Sequence, residues 1–225
     1  GATADGGETV TTSGTVDTST VGTYTITYSA TDASSNTGTA TRTVTVVDTT
    51  APVFTSSSNL DAYENQLNIG IGMDSGAAVT AADLQTVTFS ISGTELTITA
   101  GGDLTFVTAP NYEVKSSYTT TATATDASGN TSTQDLTISI YDVNESPSIT
   151  SSATFSAAEN QTAIDTVTAT DDDGDPVTFT VSGSELAITS AGVLTFKTAP
   201  DYETKTSYTA TVTASDGSNS TPQDT

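Results

Sequence analysis

Apolar and polar residues alternate along much of this chain. In Thr23–Ser29 (TYTITYS), Thr86–Ser92 (TVTFSIS) and Leu136–Ile140 (LTISI) every second residue is apolar, and those between are Thr or Ser. A period of two sends successive side chains to opposite faces of an extended strand. Each run therefore predicts one face on a core and one in water. Thr suits the outer face, since its branched side chain favours a pleated backbone without carrying charge. Such runs return about every 8 to 12 residues with Gly, Asn, Asp and Pro between them, which predicts an all-β chain of Greek-key sandwiches. Helical spacing occurs only in the short stretch Ala78–Leu84.

Longer echoes set the organisation. Ala62-Tyr-Glu-Asn-Gln66 returns as Ala158-Glu-Asn-Gln161, and Thr86–Leu96 as Pro176–Leu186. Leu104-Thr-Phe-Val-Thr-Ala-Pro-Asn-Tyr-Glu113 returns as Leu194-Thr-Phe-Lys-Thr-Ala-Pro-Asp-Tyr-Glu203. The offset of about 90 to 95 residues is the size of one small sandwich. Two tandem domains are expected, at 50–145 and 146–225. Residues 1–49 carry only the back half of a related pattern: Thr23-Tyr24, Ser29–Asp32 and Val44–Asp48 parallel Ser117-Tyr118, Ala124–Asp126 and Ile138–Asp142. The last unit is expected to lack its last strand. Units of this kind contact mainly their neighbours in a tandem array.

Composition changes the picture in two ways. The 27 acidic residues face 4 basic ones, for a net charge of −23, and hydrophobic residues make up 34%. That pairing is a signature of disorder, which the sustained alternation argues against. The chain also has no His, Cys or Trp. This excludes a Ser-His-Asp triad, a Cys-His pair, thiolate metal sites and disulfides. So acidic a surface repels phosphate, so no nucleic acid partner is expected. No apolar run approaches the roughly 18 residues that cross a bilayer, so no membrane insertion is expected in this segment.

The acids gather at the repeat ends. Near residue 145 these are Glu64, Glu113, Asp142 and Glu145 with Asn111 and Asn144, joined by Asp171, Asp173 and Asp216 of the next unit. All are oxygen donors suited to hard cations. At an effective dielectric near 20, two such charges about 4 Å apart repel by about 4 kcal/mol. Convergent acids therefore call for bound cations or for solvent.

The order Tyr-Glu-Asn, Asn-Tyr-Glu, Asp-Val-Asn-Glu, Asp-Asp-Asp, Ser-Asp-Gly resembles tandem cadherin repeats of large extracellular proteins of bacterial type. The resemblance implies up to three calcium ions at a junction. Glu64, Asn111, Glu113, Asp142, Asn144 and Glu145 would serve from the upper repeat, and Asp171, Asp173 and Asp216 from the lower one. It departs from the family pattern where Asn111 replaces an Asp and Glu145-Ser146 replaces Asp-Asn. Weaker candidates are Asp48, Asp83 and Asp126 near residue 50, where Ala81 stands in place of an Asp and one ion or none is expected. Glu159, Asp201 and Glu203 form a further set. Residues 1–49 resemble a portion of a bacterial immunoglobulin-like repeat closing on Val47-Asp-Thr-Thr-Ala-Pro52.

Other motifs have plainer readings. Asp171-Asp-Asp-Gly-Asp175 taken alone reads equally as an Asp-Gly turn in a solvated hairpin. Asp32–Asn36 and Asp126–Asn130 read as hairpin turns, and Tyr112, Tyr118, Tyr202 and Tyr208 as core or corner residues. Asn130-Thr-Ser and Asn219-Ser-Thr fit the glycosylation pattern, as chance matches in a chain so rich in Ser and Thr. Paired carboxylates acting as a glycosidase acid and base are the weaker alternative. No enzyme is expected and no catalytic residue is assigned. The expectation is an extracellular or cell-surface structural segment, within a stalk, adhesin or secreted filament, stiffened by calcium at its junctions. Its partners would be neighbouring repeats of the same chain. Two alternatives stand beside it. One is an adhesive module making homophilic or glycan contacts, with like chains or a surface receptor as partner. The other is a filament subunit whose missing strands come from neighbouring chains.

Overall fold

The computed structural model describes residues 2–70 and 78–225. Every regular element among them is a β-strand. The chain divides into two compact units, one of Gly1–Leu60, Leu67–Thr108 and Thr119–Ile138, the other of Asp61–Gln66, Ala109–Tyr118 and Ser139–Thr225.

In the first unit, β1 (Thr11–Ser13), β2 (Gly22–Thr31) and β3 (Thr37–Val46) form an antiparallel sheet in that order. The alternating run Thr23–Ser29 lies within β2. Asp32 turns the chain into β3: its amide donates to the Asn36 carbonyl at 3.0 Å, and Ser35 adopts a left-handed φ of 68°. None of residues 2–49 is buried.

The next strands are β4 (Val53–Phe54), β5 (Asn59–Tyr63), β6 (Ala81–Ala82), β7 (Thr88–Ile91), β8 (Leu96–Ile98), β9 (Leu104–Phe106), β10 (Ser117–Thr125) and β11 (Thr131–Tyr141). They form a four-stranded sheet of order β5-β11-β10-β7 and the pairs β4-β6 and β8-β9. β5, β10 and β11 run through both residue sets. Ala78–Leu84, the one stretch with helical spacing, is extended. Its backbone is taken up by edge pairing, Val53 with Ala82 and Phe54 with Ala81, and by the Val79 amide on the Gly102 carbonyl at 2.8 Å. The alternating apolar residues of β11, Leu136, Ile138 and Ile140, are buried, as period two requires.

The second unit continues with β12 (Ser148–Ile149), β13 (Ala163–Thr166), β14 (Ala169–Thr170), β15 (Thr178–Val181), β16 (Leu186–Ile188), β17 (Val193–Phe196), β18 (Thr211–Ser215) and β19 (Ser220–Asp224). Two three-stranded sheets, β13-β17-β16 and β15-β18-β19, meet in one core. Leu186 and Leu194 enter it from one sheet, Phe179, Val212 and Ala214 from the other. This is the expected sandwich.

After β18 the chain returns as β19, paired with it from Ser215–Ser220 to Thr211–Asp224. The Asp216–Asn219 turn returns the chain along β18. The Thr211 hydroxyl then donates to Asp224 at 2.8 Å, as Thr121 does to Asp135 at 2.8 Å. β19 thus matches the first half of β11.

The repeat extends to backbone conformation. Gly102 (φ +98°) and Gly192 (φ +89°) donate their amides to Thr99 and Thr189 carbonyls and accept from Val79 and Val167. A Cβ at either would lie 2.0 or 2.1 Å from the carbonyl oxygen of Val79 or Val167, so only glycine fits.

Candidate metal centre

The acid group near residue 145 is built on three backbone segments within the second unit. Glu64 follows β5 and is 1% exposed. Its Oε2 accepts the Tyr112 amide and its Oε1 the Val143 amide, both at 2.8 Å. Its own amide donates to the Tyr141 carbonyl. One buried carboxylate thus clamps the Asn-Tyr-Glu turn and the segment after β11. Asn65 follows with φ 60° and places its amide on the Pro110 carbonyl at 3.0 Å.

Around this clamp lie two overlapping sets of carboxylates. Glu64, Glu113 and Asp142 bring one oxygen each within 4.8 Å of one another, as do Glu113, Glu145 and Asp173. Glu113 belongs to both, so five acids form one continuous group. The Glu145 amide donates to Asp173 Oδ2 at 2.9 Å, and the Asn65 side-chain amide donates to Glu145 Oε1. Asn144 donates to Asp216 Oδ2 at 2.9 Å, while Asn219 donates to the carbonyls of Asn144 and Glu145 at 3.0 and 3.3 Å.

Electrostatics follow from this crowding. Burial, then the charge of Glu64, raises the Glu145 carboxyl above its ordinary value of 4.5. Burial, then the charge of Asp173, raises Asp142 above 3.8. For Glu113 the hydrogen bond from its own amide pulls downward. Burial and the charges of Glu64, Asp142 and Asp173 outweigh it, and the net shift is upward. Asp216 moves the other way: the Asn144 side chain and then the Asn219 amide stabilise its charge.

Two carboxylate oxygens of this group have no partner among the described residues. Glu145 Oε2 and Asp171 Oδ2 are buried without a hydrogen bond. A buried carboxylate oxygen in that state is costly unless something positive meets it. The donor set is all oxygen, which fits a hard cation such as calcium. Asp171 and Asp216 stand outside the two close sets. Asp171 Oδ1 accepts the Asp175 amide at 3.3 Å. Asn111 Oδ1 accepts the Val114 amide at 2.8 Å and holds the turn. The Asp171–Asp175 segment links β14 and β15, which belong to different sheets, so it is not a hairpin.

The weaker sets also assemble. Asp48, Asp83 and Asp126 bring oxygens within 4.8 Å of one another, as do Glu159, Asp201 and Glu203. In the first set, Asp126 is buried and accepts the Asn130 side-chain amide at 2.8 Å. Burial raises its carboxyl, but the side-chain and backbone donors of Asn130 and the amide of Ser128 bring it below 3.8. Gln85 donates its side-chain amide to Asp48 Oδ2 at 2.8 Å. In the second set, Glu159 Oε2 accepts the Tyr202 amide at 3.0 Å, and Asn160 (φ 63°) donates to the Pro200 carbonyl, repeating the Glu64–Asn65 device.

Sequence reasoning missed the amide side chains. Asn130 donates to the Asp48 carbonyl at 3.2 Å, as Asn219 does to Asn144 and Glu145. Both Asn residues are therefore occupied as ties inside the fold, the role that the glycosylation pattern obscured. The signal was an Asn three or four residues after a turn Asp. The tyrosines also depart from expectation. Tyr202 is 64% exposed and Tyr112 is exposed too, whereas Tyr208 packs edge-on against Phe196 with centroids 4.9 Å apart.

Comparison with known proteins agrees with this architecture. Residues 2–46 match the family described as bacterial surface protein, Ig-like domain. Among solved structures, the chain is similar to Drosophila N-cadherin EC1-4 (19% identity, TM-score 0.54, covering 91% of this chain and 56% of that one). It is also similar to the human desmocollin-1 ectodomain (19%, 0.56, 90% and 46%) and to human protocadherin-24 EC1-2 (17%, 0.53, 78% and 93%). The chain spans about half the length of the N-cadherin and desmocollin structures. No curated protein sequence matches it. The chain is all-β with a cadherin-like fold, and its residues 2–46 are similar to bacterial surface Ig-like domains. No helix among the described residues is long and apolar enough to cross a membrane.

Proposed function

We propose that the chain is a non-enzymatic structural segment of a long extracellular repeat protein, stiffened by calcium where its repeats join. The observation that carries this reading is the continuous group Glu64, Glu113, Asp142, Glu145 and Asp173 with the orphaned oxygens of Glu145 and Asp171 beside it. Glu64, Glu113, Asp142, Glu145, Asp171 and Asp173 would hold the ions. Asn111, Asn144 and Asp216 would support them through the turns they fix.

Calcium supplies positive charge that no hydrogen bond to these crowded acids can replace. The protein's role is positional. Glu64 ties the Asn-Tyr-Glu turn to the segment 142–147, and Asn219 and Asp173 hold that segment's backbone from the following repeat. Neutralising the acids favours this ordered arrangement over a repelled, looser one, so binding stabilises the fold by mass action. Extracellular calcium modules bind at about 0.1–1 mM, which suits a cell-surface or secreted setting. The repeats so joined would be 50–145 and 146–225, preceded by the Ig-like segment at residues 1–49, with neighbouring repeats as the immediate partners. The sets at Asp48, Asp83 and Asp126 and at Glu159, Asp201 and Glu203 are the weaker ion sites.

Calorimetry with added calcium and then chelator tests the reading. A melting temperature that rises with calcium and falls with chelator supports it. One that does not move removes calcium from the function.

A further inference from the structure

The connecting segments 48–52 and 142–147 are both crowded by acids but are held differently. The first leads from β3 to β4. Asp48 Oδ1 accepts the Thr50 amide at 2.9 Å, and its Oδ2 accepts the Gln85 side-chain amide at 2.8 Å. Asp83 Oδ1 accepts the Gln85 backbone amide at 2.9 Å, and Asp126 Oδ1 accepts the amides of Ser128 and Asn130. Each of the three acids therefore has a neutral donor. Among the described residues, none of their oxygens is buried without a partner.

Two side-chain amides carry the connection. A carboxamide has two N–H donors, and both residues use the pair to bridge separate segments. Gln85 Nε2 reaches Asp48 Oδ2 on the connector and, at 2.7 Å, Ser128 Oγ in the turn between β10 and β11. Asn130 Nδ2 reaches the Asp48 carbonyl at 3.2 Å and Asp126 Oδ2 at 2.8 Å. The Ser132 hydroxyl then donates to the carbonyl of Pro52, itself fully buried. Hydrogen bonds to a carboxylate are stronger than those between neutral groups, and they stabilise its charge without an ion. At 142–147, between β11 and β12, the Asn tie is repeated: Asn219 donates to the carbonyls of Asn144 and Glu145. Gln85, however, aligns with Asp175, whose ionised side chain has no N–H to give. Five close acids share that space, and the buried Glu145 Oε2 and Asp171 Oδ2 lack partners among the described residues. Those oxygens call for a cation, whereas the oxygens around Asp48 already have their donors.

We infer that Gln85, Asn130 and Ser132 form an ion-independent latch on 48–52, and that of the two connectors calcium controls the order of 142–147 alone. The behaviour of 142–147 rests on calcium binding as proposed above, whereas the latch needs no ion. A cation on Asp48, Asp83 and Asp126 adds charge neutralisation to a connector that is already fixed. The chain thus carries one permanent joint and one that loosens as calcium falls.

Backbone NMR order parameters of the full chain, in calcium and in chelator, test both parts. In chelator, residues 48–51 should stay near the rigid value of about 0.85, while 143–146 fall below about 0.6. Gln85→Met keeps the side chain's length and removes both donors. Combined with Asn130→Ala, it should bring 48–51 below about 0.6 with or without calcium, while Ala122 and Ala124 of β10 stay near about 0.85. Gln85→Met alone should give a smaller drop in the same direction, and it decides the matter if the double variant also loosens β10. Order at 48–51 that falls in chelator as far as at 143–146, or that ignores these substitutions, would overturn the latch. If 48–51 responds to the substitutions but 143–146 does not respond to calcium, the latch stands. Calcium control of 142–147 then falls together with the calcium reading.

Discussion

Glu64 Oε1 accepts the Val143 amide at 2.8 Å across 79 residues of chain, while its other oxygen holds Tyr112. The residue is therefore a structural clamp before it is anything else. Glu64→Ala takes the acceptor from two part-buried hydrogen bonds, at about 1–2 kcal/mol each, so a loss of about 2–4 kcal/mol is expected in denaturant unfolding. Glu64→Gln keeps one acceptor oxygen and should lose about half as much. If the two variants unfold alike in chelator, the clamp is not made through the carboxylate's second oxygen.

The same crowding fixes a pH dependence. Glu113, Asp142 and Glu145 have folded-state values raised above 4.5, 3.8 and 4.5, so the folded chain binds protons more tightly than the unfolded one. Their contribution is present at low pH and lost as pH rises through the raised values. Asp126 and Asp216 are lowered below 3.8, and their contribution is lost as pH falls through those lowered values. In chelator, the melting temperature should therefore peak in acid, between the lowered and the raised values, and decline towards neutrality. With calcium the decline should flatten, because cations and protons compete for the same oxygens. A chelated protein whose stability climbs steadily from pH 5 to 8 would contradict the raised values.

Backbone conformation gives a cleaner test of the repeat. Gly102→Ala and Gly192→Ala each combine a left-handed φ, costing an L-residue about 1–2 kcal/mol, with a Cβ driven against a backbone carbonyl. Each should destabilise by more than about 2 kcal/mol. The neighbouring Gly101→Ala, where a Cβ meets only the Thr99 hydroxyl at 3.7 Å, should be near neutral. Thermal or denaturant unfolding of the three variants decides it.

What could be read from sequence was what is local or repeated. The runs at 23–29, 86–92 and 136–140 announced β2, β7 and β11 because period two is a property of one strand alone. The turns at Asp32 and Asp126 were equally local, and the acid groups followed from repeated motifs. The rest depended on partners far along the chain. Tyr112 and Tyr202 look like core residues until the turn they occupy is seen to face outward. The ties from Asn130, Asn219 and Gln85 join segments tens of residues apart; the spacing from a turn Asp marks the two Asn residues but not the distant segment each one reaches. Ala78–Leu84 has helical spacing, but its hydrogen bonds go to Phe54 and Gly102, so tertiary pairing overrides the local pattern.

The set at Asp48, Asp83 and Asp126 shows what a poorer acid site lacks. Aligned with the later repeat, Ala81 stands where Asp171 does and Gln85 where Asp175 does. Gln85 further occupies Asp48 Oδ2 with a donor at 2.8 Å and reaches Ser128 at 2.7 Å. The double variant Ala81→Asp, Gln85→Asp removes that neutral donor and adds two charges. Without calcium the chain should lose about 1–3 kcal/mol, from the lost hydrogen bonds and from like charges whose repulsion reaches about 4 kcal/mol at 4 Å. With calcium at about 1 mM, a typical extracellular level for such modules, the loss should be recovered and the calcium-induced rise in melting temperature should exceed that of the parent chain. Titration calorimetry should show additional binding over the parent. If the variant is destabilised equally with and without calcium, carboxylate content is not what separates the two sites, and the tighter backbone ties around Glu145 and Asp173 are.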